Sequence, residues 1–368
     1  MAKLVEFCKI NMGQSPDSSS YNDIGKGMPF FQGNADFGNV HPKVRVWCDA
    51  PTKIAHPNDI LISVRAPIGA LNIANIECCI GRGLASLTAD KNKCHQKYLW
   101  YALESKVDEL NSKGTGSTFK AISKSVLFDT EIPLPSLDGQ KEISDIFDRI
   151  TSLIADRKQQ LKDLENLVKS RFIELFGEVE TNIKGFPMKR MDECCKFIGG
   201  AQPDKSHFEY EKTDENIRLI QIRDYKSDRF ITYIPKSLAK KTCTSSDIMI
   251  GRYGPPIFQI LGGIEGAYNV ALMKAIPTDE FNVEYFRCFL KNEKLLRYLE
   301  SFSQRTAGQD GIQIDKLNAY PCFVPPIELQ NEFATFVEQT DKLKFDNLTW
   351  LVKVQRFLYN TSCLGVCL

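Results

Sequence analysis

Ile132-Pro133-Leu134-Pro135-Ser136-Leu137-Asp138-Gly139-Gln140-Lys141-Glu142-Ile143 has a counterpart later in the chain, Cys322-Phe323-Val324-Pro325-Pro326-Ile327-Glu328-Leu329-Gln330-Asn331-Glu332-Phe333. Pro135 and Pro325, Gln140 and Gln330, and Glu142 and Glu332 are each 190 residues apart. Both copies run directly into a heptad pattern. A chain that repeats a globular unit plus a helical rod is built to hold two similar surfaces at a fixed separation. That is the geometry of a ruler, and rulers measure a polymer.

In the first rod, apolar residues step as Ile143, Phe147, Ile150 and Ile154, then Leu161, Leu164, Val168 and Leu175. Arg157 and Arg171 fall on the same seam, and Gly177 is placed to cap the C-terminus. In the second rod, Phe333, Phe336, Thr340, Leu343, Asn347, Trp350, Val354 and Phe357 alternate steps of three and four. A sustained heptad seam predicts a coiled coil rather than a solitary surface helix. A seam asparagine such as Asn347 lowers stability but fixes register and partner choice. The rods are of similar length and are expected to pack on each other, which would make the molecule roughly pseudo-twofold. About 35 helical residues at about 1.5 Å each span roughly 50 Å. At about 3.4 Å per base pair this corresponds to on the order of 15 base pairs, an upper estimate.

Outward from the junctions, short apolar runs alternate with turns. Asp59-Ile60-Leu61-Ile62-Ser63-Val64-Arg65 reads as a strand, and Asp247-Ile248-Met249-Ile250-Gly251-Arg252-Tyr253 answers it. Helices are predicted over Gln96–Leu110 and Val283–Phe302. The resulting division is a first α+β domain at 1–136, a rod at 137–177, a second α+β domain at 178–326, a rod at 327–360 and a tail at 361–368.

The 368 residues carry a net charge of +1, with 43% hydrophobic and 25% charged residues, as in ordinary globular protein. A neutral total argues against nonspecific coating of nucleic acid but allows a basic face on each head. No apolar stretch is long enough to span a membrane, and the start lacks a signal-peptide core, so the chain reads as cytoplasmic. Twelve cysteines include no Cys-x-x-Cys, and the histidines are His41, His56, His95 and His207. These cysteines read as reduced, buried small hydrophobes rather than metal ligands. No Walker loop, Gly-x-Ser-x-Gly or His-Glu-x-x-His occurs, nor the Asn/Asp-Pro-Pro-Phe/Tyr and Phe-x-Gly-x-Gly motifs of methyl transfer. Gly81-Arg82-Gly83 lacks the third glycine of a phosphate cradle.

Two polar loops carry what a nucleic-acid reader needs. The first holds Lys113, Thr115, Ser117, Lys120 and, beyond it, Lys124; the second holds Arg305 and Gln309, with Lys316 beyond. Glycines let backbone amides approach phosphate, Lys and Arg neutralise it, and Gln, Ser and Thr can read base edges. Each loop also fits a plain solvated connection. Early turns add Gln14 and Ser15 in one head and Gln202 in the other, where a simple Gly/Pro turn is the competing reading. Arg65 and the pair Arg252-Tyr253 close the predicted strands, as surface charges or as readers.

Together Gly-Gln-Ser-Pro (13–16), the Asp59 strand, Thr-Gly-Ser-Thr-Phe-Lys-Ala-Ile (115–122), the Ile-Pro-Leu-Pro junction and Leu-Val-Lys-Ser-Arg-Phe-Ile-Glu-Leu-Phe-Gly (167–177) resemble the specificity (S) subunit of type I restriction–modification systems, over essentially the whole chain. The resemblance implies two target recognition domains, each reading half of a split double-stranded DNA sequence. It implies that the rods pack antiparallel as spacers and dock two methyltransferase (M) subunits, with motor-nuclease (R) subunits joining. S-adenosylmethionine, ATP and magnesium would serve the partners, while this chain would bind no cofactor and catalyse nothing. The second rod departs from the pattern: Leu351-Val352-Lys353 lies 184 residues after Leu167-Val168-Lys169, making that rod about six residues short. The alternative reading is a coiled-coil scaffold whose heads bind peptides.

Overall fold

The computed structural model describes residues 1–116, 120–254, 256–302 and 311–363, the last five as backbone only. The chain forms two compact units, Met1–Gln159 with Asn347–Leu368, and Gln160–Asp346. Each long helix therefore contributes one part to each unit, where the sequence reading had set the rods apart from the heads.

In the first unit, Cys8–Met12, Leu84–Ala89, Ile60–Ser63 and Leu71–Ile73 form an antiparallel sheet in that spatial order. Leu87 stands opposite both Ile10 and Ile60. The Ile60 strand is apolar at successive positions because both faces are covered. Ile60 and Ile62 pack with Leu99 and Leu103 of the helix Gln96–Glu104. Leu61 packs on the other side with Phe31 and Ile80. Phe31 and Ile80 belong to a second sheet, ordered Tyr21–Asn22, Trp47–Cys48, Met28–Phe31, Cys78–Ile80 and Ile54–Ala55.

The second unit repeats the plan. Cys195–Gly199, Leu272–Pro277, Ile248–Gly251 and Gln259–Leu261 pair in the same order as the first sheet. Ile248 and Ile250 face the helical core, and Met249 faces the second sheet with Ile220 and Tyr268. Both predicted head helices are broken in two. The first divides into Gln96–Glu104 and Val107–Ser112, and the Ser105 hydroxyl bonds back to the Ala102 carbonyl at 2.8 Å, competing with helix continuation. The second divides into Val283–Leu290 and Glu293–Ser301, the latter N-capped by Asn292.

The junctions end in one long helix each, Leu137–Phe176 of 40 residues and Ile327–Cys363 of 37. The first stops where expected: Gly177 has φ +74° and its amide donates to the Ile173 carbonyl at 2.8 Å. The second is three residues shorter and passes the expected end at 360. Gln140 and Gln330 are fully buried at the starts of these helices. Gln140 Oε1 accepts from the His95 amide, and Nε2 donates to the Lys93 and Pro135 carbonyls, all at 2.9 Å. Gln330 does the same with the Asn282 amide (2.9 Å) and the Glu280 and Pro325 carbonyls (3.0 and 2.8 Å). His95 and Asn282 both precede head helices. Each glutamine thus joins the rod, the junction proline and the head.

Helix pairing occurs inside each unit. In the second, the rings of Phe172 and Phe176 lie 5.5 Å from Phe333, and Arg171 pairs with Glu332 at 2.8 Å. In the first, Arg157 Nη1 donates to Asn347 Oδ1 at 2.7 Å, and its guanidinium sits 5.5 Å from the Trp350 ring. Ile143 is buried, and Ile150, Ile154, Leu161, Leu164, Val168 and Leu175 are half-buried. The seam of the second rod is displaced from the predicted line. Leu343 and Phe357 are 55% and 48% exposed. Burial instead follows Phe333, Val337, Thr340, Lys344, Asn347, Leu351 and Val354, with Phe336 and Trp350 at the flanks. Lys344 supports this register by keeping its stem half-buried while its ammonium reaches Asp341 at 2.9 Å.

Gln330→Leu removes three partners from buried groups without removing bulk. We expect it to lower the unfolding free energy by about 2–4 kcal/mol, from the cost of leaving buried amide groups unsatisfied. Urea unfolding measures this; a loss below about 1 kcal/mol would show that the amide bonds are dispensable.

Candidate nucleic-acid interface

The predicted loops of the first unit converge at one end of its first sheet. The Gly13 amide donates to Leu84 O (2.9 Å) and the Gln14 amide to Ile80 O (3.0 Å), docking the early turn on the Ile80–Leu84 hairpin. Glycine is required there, because a Cβ at position 13 would lie 2.2 Å from the Gly81 carbonyl oxygen. The Gln14 side chain is exposed, and the residue's backbone carbonyl accepts from Thr52 Oγ1 at 2.6 Å. Ser15 Oγ accepts from the Arg82 amide at 3.3 Å.

The same hairpin reaches the other candidates. The Val64 amide donates to Gly83 O (3.0 Å), and the Ile122 amide to Val64 O (2.9 Å). Ala121 bridges to both Arg65 and Thr115. Arg65, Arg82, Thr115 and Lys120 are all exposed on this end. Lys124 is also exposed, 4.9 Å from the Phe128 ring. Lys113 is paired with Glu109 at 2.6 Å, so it offers less free charge than its neighbours. The Glu109 carboxyl is held below its usual range by Lys106 first and then by Lys113. Arg82 is the residue that sequence reasoning passed over: its two flanking glycines were judged against a phosphate motif rather than as a tight turn.

The second unit brings its counterparts together by the same bonds. The Gly200 amide donates to Leu272 O (2.9 Å) and the Ala201 amide to Tyr268 O (3.1 Å). By this register Ala201 takes the place of Gln14, and Gln202 takes that of Ser15. Gln202 is exposed. The Ile312 amide donates to Arg252 O (3.2 Å) and Tyr253 bridges Gly311, so Tyr253 matches Arg65 and Arg252 matches Val64. Arg252 rests 5.3 Å from the Tyr253 ring and donates through Nη1 to Val270 O at 3.4 Å. Lys316 is half-buried, 4.8 Å from the Phe302 ring. Ser117, Arg305 and Gln309 lie outside the described residues.

The ten described cysteines are unpaired, nine of them buried, and burial pushes the thiols of Cys8, Cys78, Cys94, Cys195 and Cys288 up to about 12. No group of three or more His, Cys, Asp or Glu among the described residues could hold a metal ion. No described helix is long and apolar enough to cross a membrane. The arrangement offers exposed donors and cations around tight backbone turns.

Gly200→Ala would place a Cβ 2.0 Å from the Asn269 carbonyl oxygen. We expect it to destabilise the protein by about 1–3 kcal/mol, the usual cost of forcing backbone to shift. Gly33→Ala is the neutral control, since nothing lies within 4 Å of its Cβ and its φ is −176°. Thermal melts of both variants decide it; equal melts would show that the turn yields freely.

Residues 1–166 match the family model for the type I restriction modification DNA specificity domain. Over 164 residues the chain is 43% identical to the MjaX type I restriction enzyme specificity subunit of Methanocaldococcus jannaschii, covering 45% of this chain and 39% of that protein. Over 169 residues it is 27% identical to the MjaIX specificity subunit of the same organism, covering 41% and 39%. The chain thus spans about two-fifths of the length of these curated relatives. The HsdS subunit of Thermoanaerobacter tengcongensis is 47% identical over 43% of this chain and 38% of its own, with a TM-score of 0.40. The S subunit of M. genitalium is similar over nearly the whole length, with a TM-score of 0.58 at 16% identity, covering 98% and 94%. Residues 1–166 therefore belong to the type I restriction–modification DNA specificity domain family, and the chain as a whole has the fold of an S subunit.

Proposed function

We propose that this chain is the DNA-recognition subunit of a type I restriction–modification complex, with each unit reading one half of a bipartite duplex. The observation that carries this reading is the repeated convergence. In both units the early turn and the strand end meet the residues that close the polar loop, Ala121-Ile122 and Gly311-Ile312, at one end of an equivalent sheet, held by equivalent backbone bonds. Side chains exposed there are free to meet DNA: Arg65, Arg82, Lys120 and Lys124 for phosphates, Gln14 and Gln202 for base edges.

The long helices set the spacing and supply docking surface for methyltransferase subunits. Leu153, Leu167 and Ile173 on the first helix, and Phe345, Leu348 and Val352 on the second, are large apolar side chains about half exposed or more. Methyl transfer and DNA cleavage belong to the partner M and R subunits, which use S-adenosylmethionine, ATP and magnesium.

Methylome sequencing of cells expressing the chain with its methyltransferase, against a deletion of the chain alone, tests this. A split motif methylated only when the chain is present is the expected result. With the purified chain, affinity for that duplex is expected to fall about 10³-fold or more between low and moderate salt, for six or more phosphate contacts. Lys120→Ala with Lys124→Ala is expected to flatten the log–log salt slope by about 2. Salt-insensitive binding, or none, would favour the peptide-binding scaffold.

A further inference from the structure

A second cationic surface lies in the Gln160–Asp346 unit, on segments the sequence reading left unassigned. Phe230 is 59% exposed, with the Arg223 guanidinium 5.7 Å and the Arg229 guanidinium 5.3 Å from its ring centroid. With Tyr210, Lys212 and Tyr233 they line an open concavity of about 540 Å³.

The cluster is held in place by its own backbone. Ser227 Oγ accepts from the Arg229 amide at 3.1 Å and starts the turn Asp228–Phe230. Arg223 Nη2 donates to Phe230 O at 3.4 Å. Two acids accompany the cluster, Asp224 beneath it and Asp228 exposed on the wall of the same concavity, and each has a cationic partner. Asp224 is buried, accepts from the Gln221 amide at 3.1 Å, and lies 3.7 Å from Arg218 Nε. Asp228 takes Arg218 Nη2 at 2.9 Å. Among the described residues no carboxylate lies within ion-pair reach of Arg229. Arg223 comes only to 3.9 Å from Asp224. Two cations therefore remain available on one aromatic support.

The cluster also adjoins the candidate interface. Ile222, at the start of the Arg223 turn, would meet a Cβ on Gly251 at 3.4 Å, beside Arg252. Ile220, just before it, accepts from the Asn269 amide at 3.1 Å, on the hairpin that docks Gly200. A planar guanidinium held on an aromatic face keeps its fork of donors pre-organised, which suits bidentate contact with O6 and N7 of guanine in the major groove.

We infer that Arg223 and Arg229, supported by Phe230, are specificity-determining residues of this unit, reading guanine edges in its half-site. The first unit carries a different device in the comparable place. There Asp36 accepts from the Gln32 amide and holds Arg45 at 2.5 Å. The inference rests on the proposed DNA reading.

The test uses the purified full chain and a set of duplexes in which each base pair of its methylome-defined site is varied. Arg229→Ala is expected to lose about tenfold to hundredfold discrimination at a guanine position of one half-site, leaving the other half-site unchanged. Arg229→Lys is expected not to restore it, because an ammonium lacks the fork. Phe230→Ala is expected to weaken discrimination at the same position. Matching thermal melts establish that these exposed changes leave the fold intact. Uniform weakening on every duplex with a shallower salt slope would mean a phosphate contact and overturn the inference, as would unaltered discrimination. Absence of any sequence preference in the unsubstituted chain would overturn the DNA reading itself.

Discussion

A buried carboxamide at the start of each long helix is the constraint on which the rest depends. A head can be placed by a rod only if the two are rigidly joined, and a flexible proline-rich connection would not join them. Gln140 and Gln330 each supply one acceptor and two donors to three backbone groups that water does not reach. Glutamate could not donate both bonds, and leucine could make none. Side chains around the glutamine differ between the copies, Gly139 against Leu329 and Leu137 against Ile327, because they make no comparable bonds. Short ladders reinforce the joint: Ala2–Lys3 pairs with Glu131–Ile132, and Met188–Arg190 with Pro321–Phe323.

Polar residues in the helix seams work differently from the apolar ones. Arg171 and Glu332 are partly solvated, so their ion pair contributes little to stability. Arg157 and Asn347 are more demanding. Asn347 is buried, and its Oδ1 would lose a 2.7 Å hydrogen bond if the helices slipped. Such a pair discriminates among registers more than it adds net stability.

Much of this was legible in sequence because repetition and period survive without coordinates. The Ile60 and Ile248 strands, the head helices and both rods announce themselves through apolar spacing. The second sheets did not, since Tyr21–Asn22, Trp47–Cys48 and Ile54–Ala55 are two-residue strands with no period to read. The seam of the second rod was misplaced because apolar spacing selects Leu343, whereas Lys344 occupies the seam with its stem. The polar loops were recognisable from glycine beside Lys, Thr and Gln, but their meeting with Arg65 and Tyr253 depends on single backbone bridges. The pairing of Arg223 with Arg229 across Phe230 needs the turns between them and leaves no pattern.

Comparing the units separates what the fold requires from what it leaves free to vary. Gly13 and Gly200 recur because a carbonyl lies where a Cβ would be. Gln32 and Gln221 recur as the residues whose amides meet a buried aspartate. The exposed positions do not recur: Gln14 becomes Ala201, Arg65 becomes Tyr253, and the Arg45 device becomes two arginines on a ring. The backbone bonds that dock the early turns and strand ends do not use the side chains of Gln14 or Arg65, so exchanging those two costs the fold little. A framework fixed by buried amides and close-packed glycines can therefore carry two different exposed surfaces.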